Sequence, residues 1–224
     1  EHYRKWGLIW GGVPDRVRYS VAYEPSAFKF IGDQMIGEAG VRLRLHSWAT
    51  DLVLDGGRIS HVICHSKSGR QAIQPKVVID ATGDGDLLPW AGLPYEAARV
   101  HVYRWYRMAN VEAPDQAIEA SKDKFFPTLG GRFFNTPGQN RTLMPWGMSD
   151  HIDRRIDPTS VEDLTYAEVE SRRLMMEQID RLQAEVPGFA NAYLADAADQ
   201  LGITETRRLV GDYVLGADDD QRSF

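Results

Sequence analysis

The densest group of chemistry-bearing residues is Asp80-Ala81-Thr82-Gly83-Asp84-Gly85-Asp86. It follows the apolar run Val77-Val78-Ile79 and precedes Leu87-Leu88, so it reads as a strand, a glycine turn and a helix start. A turn of this kind exposes backbone amides, and a glycine lets a ligand approach the chain closely. Asp84 and Asp86 are carboxylates near a helix N-terminus, able to cap the helix or to accept from a sugar hydroxyl. Asp80, Thr82, Asp84 and Gly85 also match the opening positions of a calcium loop, but its bidentate twelfth position falls on Ala91. No metal site is expected. Gly83 and Gly85 begin a G-x-G-x-x-G pattern that fails at Leu88, and no other segment fits it. A ligand-facing turn and a purely structural capped turn both remain open.

The second candidate is Arg207-Arg208. A guanidinium there could bind a carboxylate bidentately or stabilise a developing anion. A structural salt bridge fits the same residues, and the spacing leaves both open.

These residues need elements to hold them. Pro25 suits the first position of a helix that ends at Gly40. Phe28, Ile31, Met35 and Ala39 share one of its faces. Val41 to Leu45 alternates as a half-buried strand. Trp48 to Asp55, Ile59 to Ser66 and Arg70 to Gln74 follow as strands, joined at Asp55-Gly56-Gly57 and Ser68-Gly69, so the block is an antiparallel meander. Lys76 to Asp80 shows no alternation, as in a strand buried on both faces. Further on, His101 to Ala109, Arg132 to Asn135 and Thr142 to Trp146 read as strands. Asp115 to Phe126 reads as a helix. Tyr166 to Glu185 is the best-marked helix, with Thr165 and Glu168 as a capping box. Its Met175, Ile179, Leu182 and Val186 face a core. Thr204 to Leu215 turns strand-like, and Asp218-Asp219-Asp220 reads as a solvated tail.

Composition narrows the classes. The chain has 224 residues, 43% of them hydrophobic and 26% charged, as in a soluble globular protein. The net charge of −6, with arginines only in scattered pairs, argues against nucleic acid as a partner. The single cysteine, Cys64, forms no internal disulfide, and no cysteine-rich zinc site is possible. It reads as a buried strand thiol. No apolar run approaches the roughly 18 residues of a membrane span. Nothing in the sequence fixes a compartment; a cytoplasmic one is favoured.

The order of helix, meander and Val77-Val78-Ile79-Asp80-Ala81-Thr82-Gly83-Asp84-Gly85-Asp86 resembles the FAD-dependent oxidoreductases with a glutathione-reductase-type flavin fold. More narrowly, it is similar to the branch near the fumarate-reductase and succinate-dehydrogenase flavoproteins. The stretches from Pro187 to Tyr193 and from Leu201 to Leu215 carry the same likeness. The resemblance implies FAD as cofactor and hydride transfer between flavin and a small organic substrate. It implies that Ala81, Thr82, Gly83, Asp84 and Asp86 line the adenosine and pyrophosphate. It puts the adenine near His46 to Ala49, with Trp48 and Ala49 as cofactor contacts. Arg207 and Arg208 become candidate catalytic residues on the substrate side. None of the six histidines is assigned as a base.

The implied fold class is α/β. A partial FAD/NAD(P)-binding Rossmann-like domain with the meander covers residues 1–95. A mixed α+β substrate domain covers 96–203, and 204–224 return to the first. The family's opening G-x-G-x-x-G strand and its C-terminal cap are not found in this sequence. The expectation is therefore an internal stretch of a longer enzyme. The alternatives are a catalytically inactive remnant acting as a binding or assembly module, or a subunit whose partner or second copy completes the site.

Overall fold

The computed structural model of the chain describes residues 9–10, 21–121, 134–136, 138–144, 152 and 154–213. Its strands are β1 (Ile9–Trp10), β2 (Val21–Ala22), β3 (Ser47–Asp55), β4 (Arg58–Ser66), β5 (Gly69–Ile73), β6 (Tyr95–Ala97), β7 (Tyr106–Ala109), β8 (Phe134–Asn135), β9 (Thr142–Met144), β10 (Tyr193–Ala197) and β11 (Arg207–Leu209). Its helices are α1 (Pro25–Glu38), α2 (Leu87–Trp90), α3 (Pro114–Ser121) and α4 (Val161–Glu185). Helices and sheets are mixed, consistent with an α/β protein, and every described strand pair is antiparallel. The chain divides into two units. One comprises 1–43, 101–156 and 160–203; the other comprises 44–100, 157–159 and 204–224.

The first unit is built on a four-stranded sheet in the order β10-β7-β9-β8. Its core joins Tyr106 and Met108 of β7 and Met144 of β9 to Met175, Ile179 and Leu182 of α4, with Val186 and Phe189 beyond the helix. The spacing of four, three and four along α4 gives it one continuous apolar face, as the sequence predicts. Met176, next to Met175, faces outward at 48% exposure. Two buried arginines enter the same unit. Arg104 donates from Nε to Ser171 Oγ at 3.0 Å and from Nη2 to Glu168. Arg107 donates to Asp196 from Nε and Nη2, and to Glu24 Oε2 from Nη1 at 2.7 Å. Both charges are thereby matched, the condition under which a guanidinium tolerates burial.

The start of α4 differs from expectation. Ser160, not Thr165, caps it, accepting from the Asp163 amide at 3.2 Å. Thr165 instead donates to the Val161 carbonyl inside the helix. Glu168 turns away to accept from Arg104, Arg172 and the Leu201 amide. A buried guanidinium needs a counter-charge more than a helix end needs a second cap. On α1 only Ile31 is buried, while Phe28 and Met35 are 47% and 54% exposed. Its apolar face is narrower than the spacing predicts.

The second unit holds the meander. β3 pairs with β4, and β4 with β5, across the Gly56-Gly57 turn and a turn at Lys67-Ser68. The expected half-buried strand at Val41 to Leu45 does not form; Val41, Leu43 and Leu45 are 58%, 46% and 65% exposed. Nor is Lys76 to Asp80 a buried strand. Val77 and Ile79 are 78% and 84% exposed, because no described strand lies beside them to take their backbone groups. β11 pairs with β6, in register from Arg207–Ala97 to Leu209–Tyr95. Cys64 lies on β4, as expected, but only half-buried. The expected strand and helix residues at 122–133 and 145–146, and the acidic tail, lie outside the described residues.

Candidate functional site

The residues of highest chemical density fold into a turn that satisfies itself. Asp80 is its organiser. Its Oδ1 accepts from the Thr82 amide at 3.0 Å and the Thr82 hydroxyl at 2.8 Å, and its Oδ2 from the Leu87 amide at 3.1 Å. Partial burial opposes its charge, but these donors outweigh it and hold the carboxyl below its ordinary range. Thr82 Oγ1 in turn accepts from the Asp84 and Asp86 amides at 3.3 and 3.2 Å. The Leu88 amide goes to the Gly85 carbonyl. Asp80, which the candidate residues omitted, therefore builds the turn. Its signal was available: a carboxylate two residues before a Thr and just ahead of a helix is an Asx-type turn.

This changes what the turn offers. The amides of Thr82, Asp84, Asp86, Leu87 and Leu88 are already occupied. The turn is not a bare anion nest. What it presents is a backbone edge at Ala81, Thr82 and Gly83, all exposed. Gly83 has φ +83°, and the space a Cβ would fill there is open. A planar or sugar-like group can lie directly against that edge, so the residues present fit the approach of a nucleotide cofactor. Gly85 has φ +61° for a different reason. A Cβ there would sit 2.9 Å from Leu88 Cδ1 and 3.4 Å from the Arg207 backbone.

β11 closes the back of the turn. Arg207 Nη1 donates to Asp86 Oδ1 at 2.9 Å and to the Asp84 carbonyl at 3.1 Å. Thr206 donates its hydroxyl to Asp84, and the Arg207 guanidinium lies 5.8 Å from the centre of the Tyr95 ring. Asp84, Asp86 and Arg207, expected in different parts of the site, are thus brought together. Thr206, missed by that reading, is 2% exposed beside two arginines, and a buried hydroxyl in such a stretch marks a partner elsewhere. Arg208 diverges, largely exposed and paired with Glu205.

Trp48 and Ala49 lie on β3, opposite His65 and Cys64. Trp48 is 71% exposed and, with His46 and His65, lines a cleft of about 480 Å³. α2, which the turn leads into, packs against β3. No cluster of histidine, cysteine or carboxylates suited to a metal occurs among the described residues.

A family model for FAD dependent oxidoreductases matches residues 3–223. The chain belongs to that family. FAD is accordingly its cofactor, and the protein is a flavoprotein of the oxidoreductase class. No curated protein matches it. Among solved structures, the flavin-dependent brominase Bmp2 aligns with a TM-score of 0.43 and 14% identity, over 82% of this chain and 44% of that one. A triple mutant of Bmp2 aligns at 0.44 with 16% identity, over 82% and 45%. The flavoprotein spans less than half the length of these structures. No described helix is long and apolar enough to cross a membrane.

Proposed function

We propose that this flavoprotein contributes one wall of an FAD site and a substrate unit, and that the whole enzyme moves a hydride between FAD and a small organic molecule. The observation that carries the FAD contact is the exposed Ala81-Thr82-Gly83 edge, with open space at Gly83. FAD, when bound, supplies the hydride-exchanging centre. The chain's own residues do the rest. Asp80 and Thr82 hold the edge rigid; Asp84 and Asp86 stand beside it, able to accept from ribose hydroxyls. Trp48 offers an exposed ring for an adenine to stack on. Arg207 is a positioning residue in this reading, since its Nη1 is spent on Asp86 and Asp84. Arg208, exposed and paired with Glu205, would meet a substrate carboxylate only by exchanging that partner. A Rossmann-like pairing of residues 76–80, and a place near the fumarate-reductase branch, rest on sequence motifs and belong to the same proposal.

Titrating the chain with FAD and following flavin fluorescence tests the contact. Saturable quenching in the parent and its loss in Gly83→Val are expected; equal binding by both sinks the assigned edge. Anaerobic reduction of the FAD-loaded full-length protein by hydroxy acids, sugars or steroids tests the chemistry, and no bleaching with any donor overturns it. A second reading, a flavin-fold module that works by assembly, is favoured by the exposure of Val77 and Ile79. Native mass spectrometry distinguishes the two: a stable complex that never reduces flavin supports the second.

A further inference from the structure

The first unit contains a cavity of about 480 Å³, within the range of small-molecule sites. Every residue that lines it belongs to that unit. Tyr23, Trp105, Tyr106 and Leu143 are among them. The lining runs from buried to exposed. Tyr106 is buried, Trp105 and Leu143 are half-buried, and Tyr23, Lys29 and Asp199 are exposed. The inner wall is therefore aromatic and apolar, while charged side chains stand at the rim. The Tyr106 hydroxyl is engaged, donating to Gln178 at 2.6 Å, so this residue offers its ring.

The charges of the lining decide what fits. Lys29 and Arg107 line the cavity, and so do Asp196 and Asp199, two of each sign. One of each sign is spent: Arg107 is held by Asp196 on one side and by Glu24 on the other. Lys29, on α1, and Asp199, just beyond β10, have no ion pair or hydrogen bond among the described residues. The cavity is left with one ammonium and one carboxylate, both exposed at its rim. A ligand with a single charge answers one of them and stands near a like charge at the other. A zwitterion answers both, its carboxylate accepting from an ammonium and its ammonium donating to a carboxylate. Since both resident charges lie at the rim, the two charges of the ligand share one end, and its body extends toward the aromatic wall. That is the layout of an α-amino acid with an apolar side chain.

We propose that this cavity binds an α-amino acid with an aromatic or other large apolar side chain, Lys29 holding its carboxylate and Asp199 its ammonium. The side chain lies against the rings of Trp105 and Tyr106, where its burial supplies most of the affinity. Each exposed ion pair adds a smaller increment and sets the selectivity. The site stands whether or not the turn at Asp80 binds FAD. Its test therefore contains no flavin.

The probes are phenylalanine, phenethylamine, which lacks the carboxylate, and 3-phenylpropanoate, which lacks the ammonium. Saturation-transfer NMR on the flavin-free chain gives a dissociation constant for each. Phenylalanine is expected to saturate below about 10 mM, and each analogue to bind at least about threefold more weakly, as the loss of one exposed ion pair requires. The variants should cross with the probes. Lys29→Met is expected to weaken phenylalanine by the same factor without weakening phenethylamine. Asp199→Asn is expected to weaken phenylalanine likewise without weakening 3-phenylpropanoate. Both substitutions fall on exposed residues, and circular dichroism checks that each variant keeps its fold. A variant that weakens all three probes alike reports a structural effect and overturns the proposal. So does equal binding of the three probes, an unchanged affinity for phenylalanine in either variant, or no saturation by about 10 mM.

Discussion

Arg207 donates to Asp86 across 2.9 Å, joining two residues 121 positions apart. The same nitrogen reaches the Asp84 carbonyl, and Thr206 beside it holds the Asp84 carboxylate. The short strand β11 is thus the rear support of the turn. Arg207→Ala removes that support and the stacking on Tyr95. The pair is partly exposed, so a loss of about 1–2 kcal/mol is expected, short of the value for a fully buried pair. Urea denaturation measures it, and hydrogen exchange at residues 82–88 should rise in the same variant. An unchanged exchange pattern there contradicts the supporting role.

The two glycines of the turn should respond differently to alanine. Both need a left-handed backbone, which costs an L-residue about 1–2 kcal/mol. Gly85→Ala adds a close approach to the Leu88 Cδ1 methyl at 2.9 Å, with Arg207 in contact at 3.4 Å, so it should be the less stable variant. Gly83→Ala meets open space and should keep most of the fold while weakening FAD binding. Thermal midpoints and flavin titrations on the two variants, side by side, check the ordering.

Glu168 collects three donors, and Arg104 behind it is 2% exposed. Glu168→Ala strands a buried guanidinium and should cost about 3–5 kcal/mol. The double variant Arg104→Met, Glu168→Leu removes both charges and should regain much of that loss. A double variant as unstable as Glu168→Ala would mean that packing around Arg104, not its charge, sets the cost.

Glu24 predicts an acid limit for the first unit. The hydrogen bond and charge of Arg107, outweighing partial burial, hold its carboxyl below the ordinary 4.5. A depressed folded value means that the stabilisation is complete above the unfolded value. It drains as pH falls from about 4.5 through the folded value. Glu24→Gln should therefore flatten the pH dependence of stability below that point and lower stability above it. Denaturation midpoints across pH 3 to 6 give the comparison.

Much of this was fixed locally. The meander follows from strand-like runs divided by the Asp55-Gly56-Gly57 turn, because a hairpin is decided by its neighbours in sequence. The core face of α4 follows from its spacing for the same reason. The turn at Asp80 to Asp86 follows from an Asx-type motif and two glycines. Long-range partners decided the rest. Thr165 and Glu168 carry a valid capping signal, yet Glu168 serves Arg104, and only folding brings a buried charge 64 residues away within its reach. Arg207 could have met a substrate anion; its counter-charge turned out to be Asp86. Val77 to Ile79 has the composition of a buried strand, but burial needs strands on both sides, which apolar residues cannot supply for themselves.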